Sequence, residues 1–466
     1  MPTPNPLHLR RLAFSLAGLP LLFALLFQSG CVSTPKSTAP LYSPASFVVP
    51  ATNDGLPGTG PVRRADWFLK TWHDRRQTFA ATAAKDQESV VFLGDSITQG
   101  WGDRLEPSFP GIAVSNRGLS GDTTRGVLVR LPEDVLALRP RAVVLLIGTN
   151  DLEEDATPEV IAGNVKLILA ALKEKNPSMP VALCAVFPSS ATKHRPASQI
   201  KELNRLYRAA VRDQPQVTYL DTWTLFADAQ GDAKSEEFPD LLHPNASGYA
   251  KWIAALRPWF ATIGLTDTAP DTFQPEPGFV SLFNGHDLTG WGYQPTTAKD
   301  IESAKHWQQT DPEAAAWPVV TAPVKFDRLM VTPEGRFLAK NGRLIVTTPP
   351  EYRKIQQLWT TREFPRNFTL KLEFRATPNT DSGIYVRGPQ LQCRDYLLAG
   401  PYKQLKSYRP QDWNEIVITV KDKVAHCTCN GEVLEDAMPV PATGPIGLEG
   451  DRGQMEYRRI RIQESP

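Results

Sequence analysis

Between Ser89 and Phe260 the chain alternates short, continuously apolar runs with stretches of helical period, and this alternation restricts the fold more than any other feature. The runs are Ser89–Leu93, Ile112–Ser115, Ala142–Ile147 (AVVLLI), Val181–Phe187 and Val217–Leu220. A helix separates the third from the fourth. Thr157 is placed to cap it, Pro158 to open it, and Ile161, Val165, Ile168, Leu169 and Leu172 fall on one face. Ala65–Lys85, Ile200–Val211 and Ala246–Phe260 read as further helices. A strand apolar on both faces has to be covered on both faces, and helical crossovers do this for parallel strands. The pattern therefore predicts an α/β unit with a parallel sheet over residues 63–262.

Beyond it the texture changes. Residues 263–277, rich in Pro, Thr and Asp, read as a linker. Short alternating strands follow at Arg343–Thr347, Phe368–Phe374, Ser382–Val386, Glu415–Val420, Ala425–Cys429 and Tyr457–Ile462. Asn430-Gly431 between Ala425–Cys429 and Glu432–Leu434 is a hairpin signal. Residues 278–466 thus read as an all-β sandwich, and the 42 prolines suit loops and β structure better than a helical bundle. Lys+Arg number 51 and Asp+Glu 50. This balance, with no basic stripe, argues against a dedicated nucleic-acid binder.

The first residues read as an export signal: His8, Arg10 and Arg11 flank an apolar run from Leu12 to Phe27. The run is shorter than the roughly 20 residues a spanning helix needs. Gln28-Ser29-Gly30-Cys31 resembles the lipobox of bacterial lipoproteins, with Gln28 where an aliphatic residue is usual. Residues 1–31 are then a lipoprotein-type signal with Cys31 as the acylated anchor, or an ordinary cleaved signal with Cys31 incidental. Residues 32–62, rich in Ser, Thr, Pro and Ala, read as a flexible tether. The expected location is the periplasm or cell surface, at the membrane. Of the other cysteines, Cys184 lies in an apolar run, Cys427 and Cys429 share one strand face, and Cys393 stands apart. No Cys/His spacing for a metal occurs.

Four segments carry chemistry. Gly94-Asp95-Ser96-Ile97-Thr98 follows the first strand, Asn116–Thr123 (NRGLSGDT) the second and Gly148-Thr149-Asn150-Asp151 the third, while Asp240-Leu241-Leu242-His243-Pro244 precedes the last helix. Carboxyl ends of parallel strands are where open α/β sheets bind ligands, so these loops can converge on Ser96. A serine hydroxyl needs a base to take its proton. His73, His194 and His243 are the histidines available in this unit. His243 is favoured because Asp240, three residues earlier, can hold one imidazole nitrogen while the other faces Ser96. A carbonyl attacked by such a hydroxyl would also need oxyanion donors, which Ser96 and Gly121 can offer as backbone N–H and Asn150 as a side-chain amide. Asp95 and Asp151 read as loop-ordering residues, and Asp122 as a cap for a helix starting near Thr123. A phosphate-binding unit would show a Gly/Ser/Thr-rich loop after the first strand, and Asp95–Gly100 is a poor match.

In this order the four segments resemble the sequence blocks of the SGNH (GDSL) hydrolases, Ser-dependent esterases and lipases on a flavodoxin-like sheet. SGDTTRGVLVRL and GTND are most similar to the platelet-activating-factor acetylhydrolase branch, and bacterial carbohydrate acetylesterases share much of that pattern. The resemblance implies Ser96, His243 and Asp240 as catalytic triad and Ser96, Gly121 and Asn150 as oxyanion hole, with no metal or organic cofactor.

In the second unit, Gly278–Trp291 (GFVSLFNGHDLTGW), Leu358-Trp359-Thr360, Asp381–Gly388 (DSGIYVRG) and Ile446–Glu449 resemble the 3-keto-disaccharide hydrolase domain, a lectin-like jelly-roll sandwich. That family often has Glu and Gln alternating after the Arg-Gly turn. Here Gln390 stands at the Glu position, and a neutral amide cannot act as a base. The expectation is therefore sugar binding, with Tyr385, Arg387, Gln392 and Asp395 on one concave surface, and Trp291, Trp307, Trp359 and Trp413 available either to stack on sugars or to fill the core. The combined expectation is an exported acetylesterase acting on acylated carbohydrate, without a nucleic-acid partner. The alternatives are a two-activity enzyme whose sandwich also cleaves a (3-keto-)glycoside, and a lipid or phospholipid esterase.

Overall fold

The five apolar runs form one parallel sheet of strands β1 (Val90–Gly94), β2 (Val114–Gly118), β3 (Ala142–Leu146), β4 (Val181–Cys184) and β5 (Val217–Leu220) in the order β2-β1-β3-β4-β5. The structure is a computed structural model that describes residues 42–103, 105–311 and 314–465. The signal segment and Cys31 lie outside these residues. The chain leaves β1 toward one edge for β2 and returns past it for β3, so the carboxyl end of β1 is a topological switch point where loops splay apart.

Helices α1 (Asp66–Thr82), α2 (Ser96–Gln99), α3 (Thr124–Asp134), α4 (Thr149–Glu153), α5 (Pro158–Lys175), α6 (Ala197–Val211), α7 (Thr222–Phe226) and α8 (Ala246–Thr262) connect and cover the strands. Two apolar clusters lie on the sheet's faces. One is built from Val91, Leu93, Val143 and Leu145 against α3, α5 and α6, the other from Val90, Phe92, Val144 and Leu146 against α8. The second strand starts later than its apolar residues suggest, because it also buries Asn116 and Arg117. Asn116 Nδ2 donates to the carbonyls of Thr98 and Gly102, and Arg117 pairs with Asp86. Apolarity alone does not register polar residues that are satisfied internally.

The expected tether gives way to packed chain from residue 42. Arg125 donates to the carbonyls of Asn53, Pro57 and Gly60, Asn164 exchanges hydrogen bonds with Thr59, and Val49 and Val62 are buried against Phe68, Trp72 and Leu119. Composition signals a flexible segment here. Arginine and asparagine side chains on distant helices override it by satisfying the segment's backbone.

The remainder folds as two packed antiparallel sheets of jelly-roll type. Its strands are β6 (Val280–Ser281), β7 (Trp291–Tyr293), β8 (Val324–Lys325), β9 (Phe337–Lys340), β10 (Arg343–Val346), β11 (Arg353–Thr360), β12 (Phe368–Ala376), β13 (Gly383–Val386), β14 (Gln390–Gln392), β15 (Asn414–Lys421), β16 (Val424–Cys429), β17 (Glu432–Pro439), β18 (Ile446–Arg452) and β19 (Met455–Glu464). One sheet runs β17-β16-β15-β12-β19-β10-β9 with β6 beside β19, the other β14-β13-β18-β11-β7-β8. Asn430 (φ 48°) and Gly431 (φ 84°) make the expected hairpin turn. Cys427 and Cys429 both face the core and, like Cys184 and Cys393, are free and buried.

The all-β expectation missed a helix, α9 (Ala298–Thr310), announced by a Thr297/Asp300 capping box. The linker is irregular but pinned: Asp267 pairs with Arg375, Asp271 with Arg459, and Glu276 with Arg461. The sandwich also finishes α8. Lys340 Nζ donates to the Thr262 carbonyl (2.7 Å), Arg343 Nη2 to Ala261 (3.2 Å) and Gln454 Nε2 to Pro258 (3.1 Å). The Ala261 and Thr262 carbonyls are among the last four, which a helix end leaves without intrahelical partners, and the two cations sit at the negative pole of its dipole.

Candidate active site

The site starts at Gly94, where a Cβ would lie 2.2 Å from Thr98 Oγ1 and 2.3 Å from the Leu146 carbonyl. Only glycine allows β1 to turn so tightly into α2. Asp95 caps α2 through Oδ1, which accepts the Ile97 N–H at 2.9 Å, and burial pushes its carboxyl up to about 6. Ser96 is the first residue of α2, where a helix leaves its N–H groups without intrahelical partners.

His243 reaches Ser96 from the loop before α8. Asp240 folds that loop: Oδ1 accepts the N–H of Leu242 (3.0 Å) and of His243 (2.7 Å), and Leu241 takes a left-handed conformation (φ 61°). Asp240 Oδ2 lies 2.7 Å from His243 Nδ1, and His243 Nε2 lies 2.9 Å from Ser96 Oγ. Burial works against the Asp240 charge, but the hydrogen bonds from His243 and Leu242 outweigh it and hold the carboxyl near 2. Tyr249 ties the two sides together, its hydroxyl donating to the Ile97 carbonyl at 2.8 Å. His73 and His194 are exposed and elsewhere, His73 on α1 and His194 in the loop after β4.

Gly121 has φ +82°, and a Cβ there would lie 2.4 Å from Trp67 Cη2. Asn150, on the first turn of α4, donates from Nδ2 to the Asp122 carbonyl at 2.9 Å. Asp151 orders the loop as expected. Its carboxylate accepts the Thr124 N–H and hydroxyl, and burial pushes it up to about 7. Asp122 is not the cap of α3; Thr123 is, accepting the Gly126 N–H, while Asp122 is fully buried against Arg130. An Asp beside a helix start reads as a cap in sequence, but here Arg130, two turns along α3 itself, takes its Oδ2 at 2.7 Å. Among the described residues no group of His, Cys, Asp and Glu has the makings of a metal site.

The profile of the GDSL-like lipase/acylhydrolase family matches residues 92–251, and that of the 3-keto-alpha-glucoside-1,2-lyase-like domain residues 278–463. Residues 92–251 belong to the GDSL-like lipase/acylhydrolase family. That family is one of ester hydrolases. The chain is 29% identical over 192 residues to the platelet-activating factor acetylhydrolase IB subunit alpha1 of Bos taurus, spanning 40% of this chain and 80% of the relative. It is 27% identical to the alpha2 subunit of Homo sapiens over 187 residues, 39% of this chain and 79% of the relative. Among solved structures, a GDSL-like lipase from Bacteroides thetaiotaomicron is 24% identical, covers 40% of this chain and 97% of its own, and gives a TM-score of 0.36.

Two residues around the GDSL site escaped the sequence reading. Trp67 on α1 meets Gly121 yet is 51% exposed, with Arg63 stacked over its ring at 5.3 Å. Arg195, in the loop after β4, is buried and donates from Nη2 to Asn150 Oδ1 at 3.1 Å. Neither lies within a sequence block. Arg195 follows the carboxyl end of a strand, the one signal that could have marked it.

In the sandwich the four expected sugar-binding residues do not share one surface. Tyr385 and Arg387 line a cavity of about 320 Å³ with Gln356, Gln357, Trp317 and Trp359, and Asp300 of α9 closes one side. Arg387's guanidinium is engaged by the carbonyls of Pro441 and Arg366. Gln392 reaches Gln390 at 3.1 Å. Asp395 is fully buried elsewhere, accepting from the Asn379 N–H, Tyr408 and Gln411. The strand ends at Gln392, so the alternation that placed Asp395 on the same face no longer applies. Of the tryptophans, Trp291 is core, Trp307 and Trp413 are stacked by arginines, and Trp359 lines the cavity. The missed residue is Glu449 on β18. Its carboxylate accepts from Tyr385 Oη (2.9 Å) and Gln390 Nε2, and burial raises it to about 8.

Proposed function

We propose that this protein removes small acyl groups, acetyl above all, from carbohydrate. Ser96 attacks the ester carbonyl while His243 Nε2 takes its proton. Asp240 holds Nδ1 and stabilises the imidazolium that forms. The oxyanion is received by the Ser96 and Gly121 N–H groups and by Asn150 Nδ2. The imidazolium returns its proton to the leaving alcohol, an acyl-enzyme remains, and water activated by the same imidazole releases the acid. The single observation that carries this reading is the unbroken row Ser96 Oγ–His243 Nε2 (2.9 Å) and His243 Nδ1–Asp240 Oδ2 (2.7 Å). Two features support a sugar as the alcohol: the half-exposed indole of Trp67 beside Gly121, and the Trp- and amide-lined cavity in the sandwich.

The test is acetate release from acetylated polysaccharides, with chromogenic acetate and longer acyl esters alongside. Ser96→Ala should abolish turnover of all of them. Preference for long acyl chains would point instead to a lipid esterase, and turnover surviving in Ser96→Ala would remove the triad. Export with Cys31 as lipid anchor belongs to the same proposal; Cys31→Ser should then release the protein from membranes.

A second reading is favoured by Glu449. It supplies beside Tyr385 the carboxyl that Gln390 lacks, so the sandwich would act on a glycoside rather than only hold it. Glu449→Gln in the full chain, assayed on 3-keto-glycosides, separates binding from cleavage.

A further inference from the structure

Asn150 can serve an oxyanion only if its amide nitrogen, and not its oxygen, faces the reacting carbonyl. A carboxamide is nearly symmetric in shape, so something must choose between its two orientations. Around Asn150 the choice is made by unlike neighbours. Nδ2 donates one hydrogen to the Asp122 carbonyl at 2.9 Å, and Oδ1 accepts from Arg195 Nη2 at 3.1 Å. Turning the amide over would set NH₂ against a guanidinium and oxygen against a carbonyl, losing both bonds and creating two repulsions. The second Nδ2 hydrogen is then left for the substrate.

Arg195 is itself fixed from several sides. It is 2% exposed, Nε donates to the Thr149 carbonyl at 3.0 Å, Nη1 to the Lys193 carbonyl at 2.6 Å, and Nη2 also to Glu153 Oε2 at 2.9 Å. Glu153 is shared with Arg63, which pairs with it at 2.7 Å. The planar fork thus spans two successive residues of α4, gripping the backbone of one and the side chain of the next. Lysine, with a single point of donation, has no equivalent.

We propose that Arg195 is a positioning residue: it selects and polarises the donor orientation of the Asn150 amide, through which it acts on the transition state. The idea rests on the esterase reading above, and it adds a residue that the four sequence blocks do not contain. Because an oxyanion exists only after attack, loss of Arg195 lowers kcat and leaves KM nearly untouched.

The experiment is a double-mutant cycle on the full chain with chromogenic acetate. Removing one oxyanion donor costs about 10²–10³ in kcat, so Asn150→Ala should fall in that range. Arg195→Lys should lose about 10-fold or more in kcat with KM within about twofold, and should cost nothing further in the Asn150→Ala background. Independent losses that multiply in the double variant, or a loss confined to KM, would overturn the proposal. Should Arg195→Lys not fold, Glu153→Ala loosens the guanidinium while keeping it. A smaller kcat loss that again vanishes without Asn150 supports the idea, and one that persists refutes it. Ser96→Ala separates the two levels: activity retained there sinks the esterase reading, while an inactive Ser96→Ala with a multiplicative cycle sinks only the role of Arg195.

Discussion

Asp240→Asn tests the triad without disturbing the loop that carries it. Asp240 Oδ1 already accepts two backbone N–H groups, from Leu242 and His243, so an asparagine oxygen stays there and the turn survives. Its NH₂ is then forced onto His243 Nδ1, where the carboxylate oxygen stood at 2.7 Å. Nδ1 must become an acceptor, the ring proton moves to Nε2, and the imidazole offers Ser96 a donor where it needs a base. Reaction requires the other tautomer, which sets two donors face to face. A lost charge-assisted bond is worth about 1.5–3 kcal/mol, and an unsatisfied donor about 1–3 more. Together these correspond to about 10²–10⁴ in rate. Asp240 is 47% exposed at its side chain, and competing water moves the expectation to the lower half of that range. Measured as kcat/KM on chromogenic acetate near neutral pH, the variant should lose about 10²–10³ while its Tm stays within about 2 °C. Activity within about threefold of the parent at unchanged Tm would refute the assignment of Asp240.

Gly121→Ala should lower both kcat and Tm, because φ +82° strains an L-residue and the new methyl would meet Trp67 at 2.4 Å; thermal melts and acetate turnover on one preparation check this. Glu449 holds its proton more tightly folded, near 8, than unfolded, near 4.5, so the folded state loses stability through this group as pH rises across that window. Glu449→Gln should therefore gain stability relative to the parent from pH 5 to 8 and hold a constant advantage above it, read by urea denaturation at a series of pH values. Arg343→Met removes one cation from buried Glu456 and a donor from the end of α8. It should cost about 3–5 kcal/mol by denaturant titration and speed hydrogen exchange in the last turn of α8.

The sequence by itself determined the two architectures and the family of the first. Runs such as AVVLLI are apolar on both faces, and that property belongs to the run wherever it sits, so the parallel sheet follows from local pattern. Ser96, Gly121, Asn150, Asp240 and His243 were legible as candidates for a related reason. Each sits in a short segment tied to a strand end or a helix start, and within Asp240–His243 the geometry is local to three residues. What only the tertiary structure decided are matters of which distant groups meet. Arg125 and Asn164 turn the Pro/Ser-rich residues 42–62 from tether into packed chain. The end of β14 turns Asp395 into the buried interior, while β18 brings Glu449 beneath Tyr385. A side chain's periodicity fixes its face within one element, but its partners lie 59 to 64 positions away in the case of Glu449, and that pairing is set by sheet register.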